Sequence, residues 1–232
     1  MLQINNLTKV YGTNTVLNIE SLCINEGEAV GLVGNNGAGK TTLFRLILDL
    51  ILSDNGEVLF QGAPVKGSDD WKSFVGSFLD DSFLIDFLTV KEYFSFVGGL
   101  HSMTEDEIKV FVEEMSPLFG FEISLTDNKF IRNYSTGNKK KIGIAAAMMG
   151  HPRLLILDEP FTALDPTSQI RLKKILNAKR EHEGMTLFIS SHDLNHITEV
   201  SKRIVILKQG EVIRDMECNQ QTLSQLEAYF DD

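Results

Sequence analysis

The feature that most constrains the fold is a glycine-rich segment between two apolar stretches. Val30 to Val33 is an uninterrupted apolar run that predicts a buried strand, and Leu43 to Leu52 predicts an apolar helix. The segment between them has a Gly, four further residues and then Gly-Lys-Thr, which is the pattern of a P-loop. Its members are Gly34, Asn35, Asn36, Gly37, Ala38, Gly39, Lys40 and Thr41, with Thr42 directly after them. This order predicts an α/β fold with a phosphate-binding loop at the end of a strand.

The residue types in this loop suit the binding of a polyanion. Glycines allow backbone N–H groups to turn inward around phosphates without side-chain clashes. The helix that follows directs the positive end of its dipole at the same point. Lys40 supplies positive charge to the β- and γ-phosphates, and the hydroxyl of Thr41 is a ligand for Mg²⁺. A plain glycine-rich turn leaves Lys40 and Thr41 unexplained, so we predict a nucleotide-binding loop.

A second apolar run ends in two carboxylates. Leu154 to Leu157 predicts a buried strand, and Asp158 and Glu159 follow it directly. At the carboxyl end of a parallel strand, such side chains reach the crevice where α/β sheets bind their ligands. We predict that Asp158 holds Mg²⁺ through a water molecule and that Glu159 polarises the attacking water as general base. Taken by itself, the motif is also compatible with a solvated strand end.

Strand and helix patterns alternate in the first and last thirds of the chain, whereas the middle is helical. Thr89 and Thr104, each with a Glu three residues later, match the capping box that begins a helix, and Ser135 to Met149 has helical spacing. We predict an α/β fold: a P-loop NTPase core with a mainly parallel sheet, an N-terminal antiparallel β subdomain and an inserted α-helical subdomain. The helical part is expected at approximately residues 82–150 of a single domain, 1–232.

Charge and hydropathy limit the partners. The formal net charge is −10 for 232 residues, whereas binding to a nucleic-acid backbone needs a basic face. We therefore expect no nucleic-acid partner, and we interpret Lys139 to Lys141 as a solvated helix face. The longest apolar runs are too short to span a bilayer, and the first residues lack a secretion signal. We expect a soluble chain whose membrane role requires a partner.

Several motifs in a fixed order make the chain similar to the ABC-family nucleotide-binding domain over nearly its whole length. Tyr134 to Asn138 stands where that family has its signature, usually Leu-Ser-Gly-Gly-Gln, and the strand with the two carboxylates follows at the usual short interval. Ala163 to Asp165 resembles the D-loop of the family, and Ser190 to His192 resembles the loop of its switch histidine. Tyr11 matches the aromatic residue that stacks on adenine in this family.

The resemblance implies an ATPase with ATP and Mg²⁺ as ligands, in which two subunits sandwich the nucleotide. The signature residues Ser135 and Gly137 then complete the site of the second subunit, together with Asp165. The physics agrees, because Ser135 is a natural helix N-cap and Gly137 lets a phosphate approach the first turn. In the family the switch histidine contacts the γ-phosphate. The catalytic residues implied are Lys40, Glu159 and His192.

The resemblance also implies partners and a location. It implies a separate integral-membrane permease and a second nucleotide-binding subunit, identical or similar to this one. The chain is then cytoplasmic and peripheral on the inner face of the cell membrane, held there by the permease. The Tyr-Ser-x-Gly signature and the short tail after Asp215 resemble export-type subunits. The alternatives are a soluble ABC-type ATPase and a regulatory module that binds ATP without hydrolysing it.

The chain departs from the family pattern at two motifs. Asp80 takes the place of the usual Gln after the strand that precedes the helical subdomain, and we assign it to Mg²⁺ binding. The signature has Thr136 and Asn138 in place of Gly and Gln, and we expect ATPase activity with a low basal rate.

The middle of the chain is also rich in phenylalanine, since residues 74–130 hold ten of the fifteen. We expect about two-thirds of them in the core of the helical subdomain, from general burial rates. The others are expected to line a groove that accepts a short helix of a membrane subunit.

Overall fold

The computed structural model describes residues 1–120, 123, 128–219 and 221–231, and this part of the chain forms two β-sheets and seven α-helices. The strands are β1 (Leu2–Tyr11), β2 (Asn14–Ile24), β3 (Ala29–Val33), β4 (Asn55–Phe60), β5 (Ala63–Pro64), β6 (Val75–Phe78), β7 (Leu154–Leu157), β8 (Thr186–Ser191), β9 (Arg203–Lys208) and β10 (Glu211–Glu217). The helices are α1 (Lys40–Ile47), α2 (Val90–Leu100), α3 (Glu105–Phe119), α4 (Thr136–Ala147), α5 (Pro166–Glu183), α6 (Leu194–Val200) and α7 (Thr222–Asp231).

The first sheet is antiparallel and has the strand order β2-β1-β4-β5. Within it, Ile4 of β1 lies opposite Leu22 of β2 and opposite Val58 of β4. These three side chains belong to one buried apolar cluster with Val30 of β3 and Phe44 of α1. The first sheet therefore packs on the strand and helix that flank the glycine loop.

The second sheet has the order β10-β9-β3-β8-β7-β6, in which β10 pairs antiparallel with β9 and the other five strands are parallel. Every residue of β3, β7 and β8 is buried, as expected for strands covered on both faces. The carboxyl ends of parallel strands meet at one edge of the sheet. The segments after β3, β6, β7 and β8 therefore share one edge, and these segments carry most of the predicted site residues.

Three helices, α2, α3 and α4, lie between β6 and β7 in the sequence. Thr89 and Thr104 begin α2 and α3 with complete capping boxes, as predicted. Ser135 caps α4, because its hydroxyl accepts a hydrogen bond from the N–H of Asn138 at 3.3 Å. Nine of the twelve residues of α4 are buried, and this helix contacts both β6 and the other two helices. The predicted α/β class, with its antiparallel first sheet and mainly parallel second sheet, is confirmed.

The first helix is shorter than predicted. It ends at Ile47 and not at Leu52, because the backbone φ of Asp49 is +52°, a left-handed value that does not continue a right-handed helix. The side chains of Leu50 and Leu52 are 47% and 60% exposed. We predicted these residues to be part of the helix because they are apolar. They instead lie on the surface, after the helix has ended.

The phenylalanines of residues 74–130 are less buried than we expected. Four are buried, namely Phe78, Phe94, Phe111 and Phe119. Five are at least 38% exposed, namely Phe74, Phe83, Phe87, Phe96 and Phe130. Phe121 lies outside the described residues. The expected two-thirds burial was therefore wrong for this set, and the helical segment has an aromatic-rich surface.

Replacement of Gly143 by Ala is expected to destabilise the fold, because α4 approaches β6 closely at this residue. A Cβ at position 143 would lie 2.1 Å from Cε2 of Phe78, whose ring is buried. Overpacking of this kind costs about 1–3 kcal/mol of unfolding free energy. Urea unfolding monitored by circular dichroism measures the change.

Gly99→Ala is the matched control, because Gly99 is also helical but a Cβ there would meet nothing within 4 Å. This variant is expected to gain up to about 1 kcal/mol from helix propensity. A Gly143→Ala protein as stable as the Gly99→Ala protein would contradict the close contact between α4 and Phe78.

Candidate active site at the carboxyl edge of the parallel sheet

The glycine loop closes around the ammonium group of Lys40, the first residue of α1. Its Nζ donates a hydrogen bond to the carbonyl of Gly34 at 2.6 Å and lies 3.4 Å from the carbonyl of Asn35. Gly39 has a φ of +107°, and a Cβ on Gly34 would lie 2.3 Å from the carbonyl oxygen of Leu207. Glycine at these two positions therefore allows the loop to curl at the N-terminus of a helix, where anions bind.

A cleft opens beside this loop. It is lined by β2, by the loop and the start of α1, and by the two residues after β7. The lining residues are Val16, Asn36, Gly37, Ala38, Gly39, Lys40, Thr41, Thr42, Asp158 and Glu159. The structure thus brings loop residues 36–42 and both predicted carboxylates together at one opening, whereas Gly34 and Asn35 do not line it.

The carboxylate of Asp158, which follows β7 directly, is hydrogen-bonded to α1 and to β8. One oxygen, Oδ2, accepts a hydrogen bond from the Thr41 hydroxyl at 2.5 Å, and the other, Oδ1, accepts one from the hydroxyl of Ser190. The Ser190 hydroxyl in turn accepts a hydrogen bond from the backbone N–H of Glu159 at 2.9 Å. Ser190 and Asp158 are 0% and 6% exposed. Sequence reasoning missed this role of Ser190, although a serine in an otherwise apolar strand was a signal for one.

Glu159 stands between two cationic or hydrogen-bonding partners. Its Oε2 lies 2.9 Å from Nδ1 of His192, and its Oε1 lies 3.6 Å from Nζ of Lys40. Oε1 is buried and accepts no hydrogen bond from the described residues, so the Lys40 contact is an ion pair without hydrogen-bond geometry. The backbone φ of Glu159 is +48°. The structure therefore brings the three predicted catalytic residues together and leaves one carboxylate oxygen able to accept a proton or a hydrogen bond.

The predicted signature and D-loop residues contact each other and do not line this cleft. A Cβ on Gly137 would lie 2.5 Å from the carbonyl oxygen of Ala163, so glycine is needed there for contact with the D-loop. Asp165 caps α5, since its carboxylate accepts hydrogen bonds from the N–H of Ser168 at 3.0 Å and from the hydroxyl of that residue. These bonds, with the nearby Lys141, lower the pKa of Asp165 to about 2. In the described structure Ser135, Gly137 and Asp165 thus lie outside the lining of the cleft.

The lysine run does not form a solvated face, and that interpretation was wrong. Lys140 and Lys141 are 9% and 5% exposed. Nζ of Lys141 lies 3.4 Å from Oδ2 of Asp165, and Nζ of Lys140 donates hydrogen bonds to the carbonyl of Glu159 and the hydroxyl of Thr162. Burial lowers the pKa of Lys140. The two ammonium groups are directed inward because the segment after β7 supplies oxygen acceptors, which a local charge pattern does not reveal.

Neither Tyr11 nor Asp80 lines the cleft. Tyr11 ends β1, is 51% exposed, and has Nζ of Lys9 at 5.2 Å from its ring centroid. Asp80 caps a short 3₁₀ turn by accepting a hydrogen bond from the N–H of Ser82 at 2.8 Å, and it pairs with Nη2 of Arg45 at 3.7 Å. The structure does not bring Asp80 into the lining of the cleft beside Thr41 and Asp158.

The oxygen donors of the cleft fit a magnesium ion that is bound together with phosphate. Within the described residues, no group of three or more His, Cys, Asp or Glu side chains is arranged to hold a metal ion. Thr41 and Asp158 offer two hard oxygen donors beside the glycine loop. Mg²⁺ usually takes one or two protein oxygens and completes its shell with phosphates and water. This donor set therefore fits Mg²⁺ but needs a phosphate ligand to complete it.

Ser190→Ala is expected to destabilise the chain and to weaken its nucleotide binding. The substitution removes the hydroxyl that donates a hydrogen bond to Asp158 and accepts one from the N–H of Glu159. Both hydrogen bonds lie in buried surroundings. Unsatisfied buried groups cost about 1–3 kcal/mol each. Ser191→Ala is the control. The buried Ser191 hydroxyl accepts a hydrogen bond from the N–H of Asp193 at 3.0 Å and makes no hydrogen bond to Asp158. Chemical unfolding and titration with a fluorescent ATP analogue measure both effects, and equal losses in the two variants would contradict the role given to Ser190.

Comparisons with known proteins agree with this geometry. Residues 17–162 match the family model described as ABC transporter. An uncharacterized ABC transporter ATP-binding protein of Nostoc sp. (strain PCC 7120) is 34% identical over 214 residues, which are 89% of this chain and 63% of that protein. This chain thus spans less than two-thirds of the length of that relative. The lantibiotic transport ATP-binding protein SrtF of Streptococcus pyogenes is 31% identical over 217 residues, which are 94% of this chain and 91% of that protein.

A solved structure extends the match to the fold. It is an ATP-binding cassette solved as a dimer in a post-hydrolysis state, bound to ADP and Pi. It superposes with a TM-score of 0.82 at 27% identity, over 94% of this chain and 99% of that chain. The family resemblance that the sequence motifs indicated is confirmed by these matches. The chain belongs to the ABC transporter family, among its ATP-binding proteins.

Proposed function

We propose that this chain is the ATP-binding and ATP-hydrolysing subunit of an ABC transporter and that it powers a separate membrane permease. The observation that carries the proposal is the meeting of Lys40, Glu159 and His192 at one cleft, beside the glycine loop. Transfer of a phosphoryl group to water needs a phosphate cradle, positive charge and a group that orients the water. The cleft offers all three, in a chain of the ABC transporter family.

In this proposal Glu159 orients the attacking water and accepts its proton at Oε1. That oxygen accepts no hydrogen bond from the described part of the chain, so its lone pairs can accept one from the water. His192 holds the other oxygen of the same carboxylate at 2.9 Å and thereby fixes its direction. Lys40 supplies charge to the β- and γ-phosphates. Thr41 and Asp158 would hold Mg²⁺, which neutralises developing charge on the phosphates when it is bound.

A second nucleotide-binding subunit, identical or similar, completes the proposed active unit. Ser135, Gly137 and Asp165 lie outside the cleft of their own chain and are proposed to meet nucleotide in the cleft of the partner. Ser135 caps the twelve-residue helix α4. The N-terminus of a helix has the partial positive charge that anions prefer. A dimeric state of the similar cassette described above supports this arrangement.

The proposed contact with the permease is a groove beside β6. Its lining mixes apolar and polar side chains from the end of α1, from β6 and from the connections around them. The lining residues are Leu48, Leu50, Trp71, Lys72, Val75, Ser77, Leu79 and Phe83. Leu50 and Phe83 are half exposed at its rim, at 47% and 49%. We propose that a short amphipathic helix of the permease binds here, with Asp80 at the connection to the nucleotide cleft.

We also propose that residues 1–232 form one nucleotide-binding domain with a helical subdomain at approximately 82–150. The proposed location is the cytoplasmic face of the cell membrane, where the permease holds the chain.

The Tyr-Ser-x-Gly signature and a relative named for lantibiotic transport support an exporter. The net charge of −10 opposes a nucleic-acid partner. Among the residues that the structure describes, no helix has the length and apolar character to cross a membrane.

Glu159→Gln is the first test of the proposed hydrolysis. The amide cannot take a proton from water, so the steady-state rate of ATP hydrolysis with Mg²⁺ is expected to fall about 10²- to 10⁴-fold. The variant is expected to retain ATP and to elute as a dimer in size-exclusion chromatography with light scattering. Glu181→Gln, an exposed glutamate on α5, is the control and is expected to hydrolyse ATP at the wild-type rate.

Three other outcomes would change the proposal. Equal hydrolysis by wild type and Glu159→Gln would remove Glu159 as the base. Binding of ATP without hydrolysis in every variant, even at high protein concentration and with a permease present, would favour the regulatory module. Hydrolysis that a permease never alters would favour a soluble ABC-type ATPase.

A further inference from the structure

A buried lysine that the proposed reaction does not use lies behind the cleft. Lys140 belongs to α4, and its side chain is 9% exposed. Its Nζ donates a hydrogen bond to the carbonyl oxygen of Glu159 at 2.7 Å and another to the hydroxyl of Thr162 at 2.6 Å. Both acceptors are neutral oxygens. Removing an ammonium group from water is costly, and two neutral acceptors compensate only part of that cost. The burial of Lys140 therefore needs a reason other than solubility.

The atom that Lys140 holds belongs to an unusual backbone turn. Glu159 has a left-handed φ of +48°, a backbone conformation that residues with a Cβ rarely adopt. The Thr162 hydroxyl donates a hydrogen bond to the same carbonyl at 2.8 Å. Lys140, Thr162 and the Glu159 carbonyl therefore form a closed triangle of hydrogen bonds. This triangle fixes the peptide plane that follows the predicted catalytic carboxylate.

Charge also favours the ammonium group at this point. The carboxylates of Asp81, Glu159 and Asp158 act against the burial that lowers the pKa of Lys140. Asp81 lies in the 3₁₀ turn beside the proposed permease groove, and burial raises its pKa while the positive charge of Lys140 opposes that rise. Lys140 thus stands between the carboxylates of the cleft and a carboxylate beside the groove.

We propose that Lys140 is a positioning residue for ATP hydrolysis, which clamps the backbone of Glu159 and thereby sets the direction of its carboxylate. The inference rests on the proposed function of Glu159. Lys140 contacts the backbone of that residue and not the reacting atoms, so it acts through Glu159. Because Ser135 caps α4, the helix that carries the predicted signature also holds the turn of the proposed general base.

The kinetic test compares Lys140→Met, Lys140→Gln and a control. The methionine variant keeps the apolar length but donates no hydrogen bond, and kcat is expected to fall about 10- to 100-fold with KM for ATP within about twofold of wild type. The glutamine variant can still donate to the Glu159 carbonyl and is expected to keep kcat within about threefold of wild type. Lys179→Met removes an equally buried lysine, paired with Glu183 at 2.7 Å on α5, and is expected to leave kcat unchanged.

Three kinetic outcomes would overturn the proposal. One is a Lys140→Met protein with wild-type kcat. Another is equal loss of kcat in Lys140→Met and Lys179→Met, which would indicate a general cost of removing a buried lysine. The third is a Lys140→Gln protein as slow as Lys140→Met, because the hydrogen bond would then not be the feature that matters.

A second measurement does not depend on hydrolysis and separates this inference from the proposed function. Amide hydrogen exchange of residues 159–164, followed by mass spectrometry, is expected to be about tenfold faster in Lys140→Met than in wild type, since the turn loses its clamp. Lys179→Met is expected to leave this segment unchanged. If wild type does not hydrolyse ATP, the proposed function fails and the exchange result alone decides whether Lys140 fixes the turn. Equal exchange in wild type and Lys140→Met would refute the clamp.

Discussion

The carboxylate of Asp158 is the point on which the rest of the site depends. It accepts one hydrogen bond from Thr41 at the start of α1 and one from Ser190 at the end of β8. The strand order places β8 between β3 and β7, so these three segments are neighbours for topological reasons. A buried carboxylate with two hydrogen-bond donors is stable where an unpaired one is not. The glycine loop, Glu159 and the segment from Ser190 to His192 are thereby held next to one another.

Three buried lysines lie beside these carboxylates although the chain as a whole is acidic. The formal net charge is −10, yet Lys40, Lys140 and Lys141 are all at most 9% exposed around the carboxylates of the site. Each buried ammonium group binds different oxygens, since Lys40 holds the loop carbonyls, Lys140 the Glu159 turn and Lys141 the carboxylate of Asp165. Burial strengthens such contacts because the local dielectric constant is low. The net charge of the chain therefore does not predict the electrostatic field within the cleft.

The parts of the molecule that could be predicted from the sequence are those with local causes. The loop from Gly34 to Thr42 and the capping boxes at Thr89 and Thr104 are fixed by residues a few positions apart, and all formed as predicted. The inward direction of Lys140 and the role of Ser190 depend on partners about twenty to thirty residues away, across α4, β7 and β8. β10 and α7 had no strong local pattern and were missed. Apolar residues such as Leu52 and Phe87 were misinterpreted as packed, since apolar character alone does not distinguish a core residue from an exposed one.

The segment that carries Glu159 is joined to α4 by one close backbone contact and by two lysine side chains. Gly137 approaches the carbonyl of Ala163 so closely that a Cβ does not fit, and Lys140 and Lys141 bind Glu159 and Asp165 on either side of that residue. The segment from Glu159 to Asp165 is therefore held to α4 at three successive points. If a partner subunit engages Ser135, as proposed, α4 connects that contact directly to the segment of Glu159 through these three contacts.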